Sequence, residues 1–415
     1  MSDVVITGLG IVSPLGVGAD VVWQAILARQ SGVRPIPRFA EMGWIAPFGA
    51  EVQGFDPKEY VTPRKSLKVM APEIQFAFAA AEQASRMAGL EEGSVTPERF
   101  GVVCGGGMMY CEFDELEAPF KASINGKGFD MRAWGAEGMR LLFPLWMLKY
   151  LPNMSACHVG IHRDARGPTN TIAHGDVSSL LSIGEAADCI RRGHADVMLA
   201  GGSGSRLHLT DLLWRRGAGL TLAGDEPAAA SRPFELNRQG MVCGEGCAMF
   251  VLESVAHAER RKAKPIAKIA GFGSRFEPSA ASRQPTGQAI ENALRFALEQ
   301  SGEPRIAFVK AHGNAMRHSD QIEAQAIHRV LGDTPVTAPT SYFGELGAGG
   351  GAVELAVALL GIQHNVIPPT LNYDEPDPQC PVNVITAPQP IGGNTIVAIN
   401  HTPTGQAAAL VLTKA

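Results

Sequence analysis

The chain has 415 residues, 45% of them apolar, with 47 glycines, 28 prolines and a formal charge of −5. That length and apolar content support a large buried core, enough for two domains or a duplicated one. The mild acidity and the lack of a long Lys/Arg block argue against a nucleic-acid binder, and no run of about 18 uncharged apolar residues marks a membrane span.

The opening MSDVVITGLG has no basic leader and enters a strand at once, so a cytoplasmic location is the expectation. The seven cysteines are an odd number without paired metal spacing and read as reduced core thiols. Val4 to Thr7 forms a buried strand, followed by a Gly/Pro turn and a helix around Ala19 to Arg29. The GLGIVSPLG turn is no dinucleotide fingerprint, because Pro14 falls where a helix should already run and the third glycine is misplaced. Pro63 to Met87 is expected to form one helix with Arg64, Lys65 and Lys68 in its first turns. Cations there oppose the helix dipole, which leaves a solvated face or a docking patch for an acidic partner. Phe100 to Cys104 is another buried strand. Tyr110 to Asn153 follows no period yet carries Trp134, Leu141, Leu142, Phe143, Trp146, Met147 and Tyr150. It is expected to be irregular and to cover a partner subunit or a tunnel.

Gly167 to Ala186 passes through a short strand, bends at Gly175-Asp176 and becomes a helix with apolar positions at Val177, Leu180, Leu181 and Ile183. The bend presents Asp176 at a helix N-terminus, where unpaired N–H groups and the dipole favour a carboxylate, and where capping is the plain structural role. Strands follow at Ala195 to Gly202 and Ala248 to Leu252, then a polar bridge, AHAERRKAKP. The order restarts with strand Ile266 to Gly271, helix Gly287 to Gln300, strand Ile306 to Lys310 and a helix from about Asp320 to Leu331. This is an α/β chain built as a duplicated unit, with the bridge near residue 256.

In α/β proteins function gathers on loops at strand ends, and such places hold Asp176, His312 in KAHGN, Glu345 in SYFGELGAGGG and His401 in INHTPTGQA. Plainer roles exist for each: a histidine there can satisfy a backbone carbonyl, and Glu345 can cap the following helix.

The same stretches resemble one family. VVITGLGIVSPLG, GPTNTI…SIGEAADCIRRGHADVMLAGG, SRPFELNRQGMVCGEGCAMFVLE and KAHGN are similar to the opening turn, nucleophile region, SRPFD…GEGA signature and first histidine motif of the β-ketoacyl-acyl carrier protein synthases of the elongating, condensing type. The likeness covers almost the full chain. It implies a thiolase-like fold of duplicated βαβαβαββ halves in a five-layered αβαβα architecture, with residues 1–255, including a dimer or tunnel insertion near 105–155, as one half and 256–415 as the other. It further implies acyl-transfer chemistry without a cofactor or metal, a dimeric state, and docking of an acidic acyl carrier protein on Arg64, Lys65 and Lys68 with help near Arg206.

Departures from the family pattern fall in its catalytic motifs. Asp176 stands where the family keeps its cysteine nucleophile; Glu345 replaces the second catalytic histidine and Thr340 the lysine of the same motif. NHTPTGQAA replaces NSFGFGGTN, which puts Pro403 in the oxyanion-hole turn and Thr404 in place of the gating phenylalanine. Only His312 survives of the Cys-His-His set. A carboxylate is a weak nucleophile already stabilised by the helix dipole, so thioester condensation is expected to be lost. A carboxylate at 345 would also add charge where an enolate develops, weakening malonyl decarboxylation.

Three readings follow. The chain could be a non-condensing partner of an active ketosynthase, similar to the chain-length factors, with His401, Thr404 and Thr340 lining the substrate path. It could be an enzyme in which Asp176, His312 and Glu345 form a new acid-base or acyl-transfer set on carrier-bound chains, one of two repelling carboxylates then holding a proton. It could carry a metal on Asp176, His312, Glu345 and His401. Whether the dimer is with itself or with an active ketosynthase stays open.

Overall fold

The computed structural model describes residues 3–215, 219–222, 226–278, 284–302 and 304–415. Its first strand, Val4–Ser13 (β1), is buried at all 10 positions, as a near-continuous apolar run requires when both sheet faces are covered. The chain continues through Phe100–Gly105 (β2), Thr169–Ile172 (β3), Val197–Ser205 (β4), Glu245–Ser254 (β5) and Ala267–Phe276 (β6). Phe308–Lys310 (β7), Pro335–Thr337 (β8), Asn383–Val384 (β9), Thr395–His401 (β10) and Gln406–Lys414 (β11) complete the main path.

These strands lie side by side in the order β9-β8-β7-β10-β11-β6-β1-β5-β4-β2-β3, and the short Gly16–Val17 strand pairs with β1. Within residues 4–254 the spatial order is third, second, fourth, fifth, first; residues 267–414 repeat it with β9 added outside. The pairing senses repeat too. The first three strands of each series run parallel, and the last two join antiparallel. The halves meet where β1 and β6 pair at Val5 opposite Lys268 and Ile6 opposite Ala267.

Helices that fill the layers include Ala19–Leu27 (α1), Pro72–Ala88 (α2), Ser178–Arg191 (α3), Gln288–Gln300 (α4), Arg317–Leu331 (α5) and Gly350–His364 (α6). α3 and α6 touch each other and strands of both halves, so they form the middle layer. Burial runs unbroken from Gly350 to Ile362 of α6, and a helix covered all round must be apolar all round. α2 covers the outer face of β1 and β5, α4 covers the outer face of β6 and β11, and α5 packs against α4.

Local readings need correction in three places. Pro63 to Met87 is not one helix: Arg64–Val69 is a separate 3₁₀ turn, Met70 is extended, and α2 starts at Pro72. Pro72 disfavours the helical conformation at Ala71, which breaks the helix there. Tyr110 to Asn153 is largely helical, at Phe113–Ser123, Met131–Leu141 and Trp146–Tyr150, although Pro119 and a π-turn at Trp134–Gly138 scramble its periodicity. AHAERRKAKP is not all bridge, because Val255–Arg260 forms a helix whose His257 N–H donates to the Ser254 hydroxyl.

The seven cysteines are free thiols; burial pushes that of Cys104 up to about 12. Among the described residues no helix is long and apolar enough to cross a membrane.

Candidate active site

Glycine shapes both carboxylate positions. Gly175 holds φ at +61° immediately before Asp176, so β3 can turn sharply into the 3₁₀ turn that opens α3. The neighbouring Ser178 hydroxyl accepts from His174 N–H at 2.8 Å, which leaves the Asp176 carboxylate free to face inward. Gly344, at φ +65°, lies so close to the Val242 carbonyl that a Cβ would meet it at 2.6 Å. That approach allows Glu345 N–H to donate to Val242 at 2.7 Å and the Glu345 carbonyl to accept from Gly244, so its backbone is fixed to the opposite half.

His312 follows β7, where its N–H and that of Gly313 donate to the two oxygens of buried Glu323 on α5 at 2.7 and 2.8 Å. Arg206 lies one residue past β4 and donates from its backbone to Gly244. The sequence-predicted trio of Asp176, His312 and Glu345 therefore converges, with ligand-type atoms within 4.8 Å of one another. All are deep: Asp176 is 6%, His312 1% and Glu345 2% exposed.

Arg206, expected to help in carrier-protein docking, is not at the surface. It is a buried side chain that ion-pairs with Asp176 through Nη2 and lies 3.4 Å from Glu345 through Nε. Burial opposes its charge, but Asp176 and Glu345 more than compensate and raise its pKa. Arg206 also lines a cavity of about 220 Å³ with Met108, Tyr110, Asp211 and Ala348, and neither Asp176 nor Glu345 lines that cavity. Arg206 thus stands between the cavity and the carboxylates.

Burial first, and then the Asp176 carboxylate, push the Glu345 carboxyl well above the ordinary range despite Arg206. The shift favours the neutral acid at Glu345, which shares a hydrogen bond with Asp176. It runs against the expectation of an added negative charge at position 345.

His312 is also neutral, because burial and the His401 ring lower its pKa. Its Nε2 lies 3.5 Å from Glu345 Oε1. His401 lies behind it, edge to face at 5.0 Å between ring centres, with Nε2 3.6 Å from Glu323, and is 3% exposed. Thr340 is 1% exposed and its hydroxyl donates to the His312 carbonyl, so its role in the structure is to hold the loop. Thr404 is exposed in the Thr402–Gly405 turn between β10 and β11, with its hydroxyl 2.9 Å from that of Thr402. Pro403 suits the second position of that turn, closed by Gly405 N–H donating to the Thr402 carbonyl at 3.1 Å. Arg64, Lys65 and Lys68 are exposed together on their 3₁₀ turn.

Four participants were missed in the sequence. Lys310 Nζ donates to Glu354 Oε2 and to Asn400 Oδ1, both at 2.6 Å, and Asn400 Nδ2 lies 2.9 Å from His312 Nδ1. Glu323 is the fourth. Their signal was a lone charge inside an apolar run, Lys310 in AFVKA and Glu354 in AVELAV, which must find a partner when buried.

The donor set does not suit a cation. Arg206 already pairs with Asp176, the raised Glu345 pKa favours its neutral form, and His401 is turned to Glu323. The arrangement suits proton donation: a carboxylic acid and an imidazole converge beside one carboxylate pinned by an arginine.

Two like halves with their polar residues meeting at the strand ends define a ketosynthase scaffold. The β-ketoacyl synthase N-terminal domain matches residues 1–258 and the C-terminal domain residues 266–374, and the chain belongs to the β-ketoacyl synthase family. It is 34% identical over 395 residues to 3-oxoacyl-[acyl-carrier-protein] synthase 2 of Coxiella burnetii, covering 92% of this chain and 91% of that protein. It is 32% identical over 420 residues to the oxytetracycline polyketide putative beta-ketoacyl synthase 1 of Streptomyces rimosus, covering 99% and 97%. Among solved structures, the ishigamide ketosynthase/chain length factor superposes with a TM-score of 0.86 at 27% identity, covering 100% of this chain and 99% of that one. A type II polyketide acyl carrier protein in complex with its ketosynthase matches with a TM-score of 0.83 at 26% identity, covering 100% and 99%.

Proposed function

We propose that this chain is a non-condensing, chain-length-factor-like partner of an active ketosynthase, working on acyl chains tethered to a carrier protein in fatty acid, polyketide or specialised lipid synthesis. One observation carries the reading: the nucleophile position holds a carboxylate locked in a buried ion pair with Arg206. Such a group neither forms a thioester nor frees itself cheaply, since separating a buried pair costs about 3–5 kcal/mol. The exposed apolar residues of the segment after β2, among them Met108, Met131, Met139, Leu141, Phe143 and Met147, support a subunit interface. The likeness to a ketosynthase/chain length factor structure supports the same assignment.

The test is co-expression with a cysteine-bearing ketosynthase encoded nearby. A heterodimer by native mass spectrometry, with product on the carrier protein only when both chains are present, is the expected result. Acylation of the isolated chain by acyl carrier protein would overturn it.

A second reading is favoured by the raised pKa of Glu345 and the lowered pKa of His312 at close range, which support acid-base chemistry on a carrier-bound chain. It expects a mass change on a loaded carrier protein with this chain alone, lost in Glu345→Ala.

A further inference from the structure

Family resemblance expects a lysine where this chain has Thr340, and a threonine cannot supply a cation. Its hydroxyl nevertheless lies 3.1 Å from Glu354 Oε1, so the glutamate that a lysine there would face is still in place. The ammonium now comes from the neighbouring strand: Lys310 on β7 is 0% exposed and its Nζ lies 2.6 Å from Glu354 Oε2.

Moving the cation brings it against Asn400, with consequences two residues away. An ammonium only donates, so the Asn400 atom 2.6 Å from Lys310 Nζ is the amide oxygen. The other amide atom is then the NH₂ group, which lies 3.2 Å from the Glu354 carboxylate and 2.9 Å from His312 Nδ1. An NH₂ also only donates, so His312 Nδ1 is the acceptor. In a neutral imidazole the ring proton then sits on Nε2, the atom aimed at Glu345 and Asp176. All four side chains are at most 1% exposed, so no water competes for these choices.

We propose that Lys310 and Asn400 are positioning residues that fix His312 as an Nε2–H donor toward the Asp176–Glu345 pair. Lys310 orients the amide of Asn400, and the amide selects the tautomer. The use of that proton rests on the acid-base reading above; the tautomer does not.

The experiment is nitrogen-15 NMR of the full chain labelled on histidine, with the His312 signals assigned by their loss in His312→Gln. Wild type should show an unprotonated Nδ1 and a protonated Nε2. Asn400→Asp places an acceptor against Nδ1 and should move the proton there, while Lys310→Met should release the amide and give both forms. A protonated Nδ1 in wild type overturns the proposal, and so does a spectrum unchanged in Asn400→Asp. If either variant fails to fold, the wild-type spectrum alone still decides. The expected tautomer in a protein that leaves every loaded carrier protein untouched would remove the acid-base reading and leave this assignment standing.

Discussion

Replacing Arg206 by methionine tests the central feature of the site. The substitution keeps the buried volume and removes a cation that pairs with Asp176 and lies 3.4 Å from Glu345, carboxylates that are 6% and 2% exposed. The raised pKa of Glu345 favours its neutral form, so losing the Arg206 ion pair bears mainly on Asp176. Removing one partner of a buried pair costs about 3–5 kcal/mol, a large part of a typical folding free energy of about 5–15 kcal/mol. Asp176→Asn in the same chain deletes the orphaned charge, so the double variant should recover more than half of the loss. Urea unfolding at pH 7 measures all three variants, and the cycle should give a coupling of at least about 1.5 kcal/mol, within the range of residues that share a network. A loss below about 1 kcal/mol, or additivity across the cycle, would refute the claim that Arg206 holds Asp176 in place.

Glu345→Gln mimics the protonated acid. The folded-state pKa of Glu345 is raised, so its contribution is fully present below the ordinary carboxylate pKa and is lost as pH rises through the folded value. The glutamine variant should therefore show a flatter decline of stability above about pH 4.5 than wild type, and equal slopes would contradict the raised pKa. Glu253 runs the other way, held near 2 against its burial by Arg261, His257 and Thr7. Its stabilisation is present above the ordinary value and lost as pH falls toward 2, so Glu253→Gln should be least costly in acid; equal cost at pH 3 and pH 7 would contradict this. Asp176→Cys should yield a thiol that alkylates at neutral pH faster than a free cysteine peptide, because Arg206 and the start of α3 favour the thiolate; protection from iodoacetamide would show that Arg206 seals the site from solvent instead. Reversing Arg64, Lys65 and Lys68 to Glu should abolish carrier-protein binding measured by calorimetry, and unchanged affinity would remove the docking surface.

The alternation of apolar runs with glycine-bearing turns made the duplicated α/β order legible, and the strand series confirms that repeat. The position of Asp176 was legible because a strand, a glycine and a helix in succession leave few geometries. Arg206 was misplaced for a physical reason: a residue just past a strand end can turn to either face, and only its partners decide which. Lys310 and Glu354 lie 44 residues apart, and no local pattern pairs them; the charge in each apolar run announced a partner without naming it. The protonation of Glu345 depends on burial at close range to Asp176, which spacing along a chain does not contain.

Asp176 and Arg206 come from the first series of strands, while Lys310, Glu354 and Glu345 come from the second. Each series thus brings an ion pair of its own, and Glu345 reaches the seam as a second carboxylate beside Arg206, which already pairs with Asp176. Closing the seam raises the Glu345 pKa, through burial first and then the Asp176 carboxylate, so folding draws protons toward this group and its measured heat should depend on which buffer supplies them.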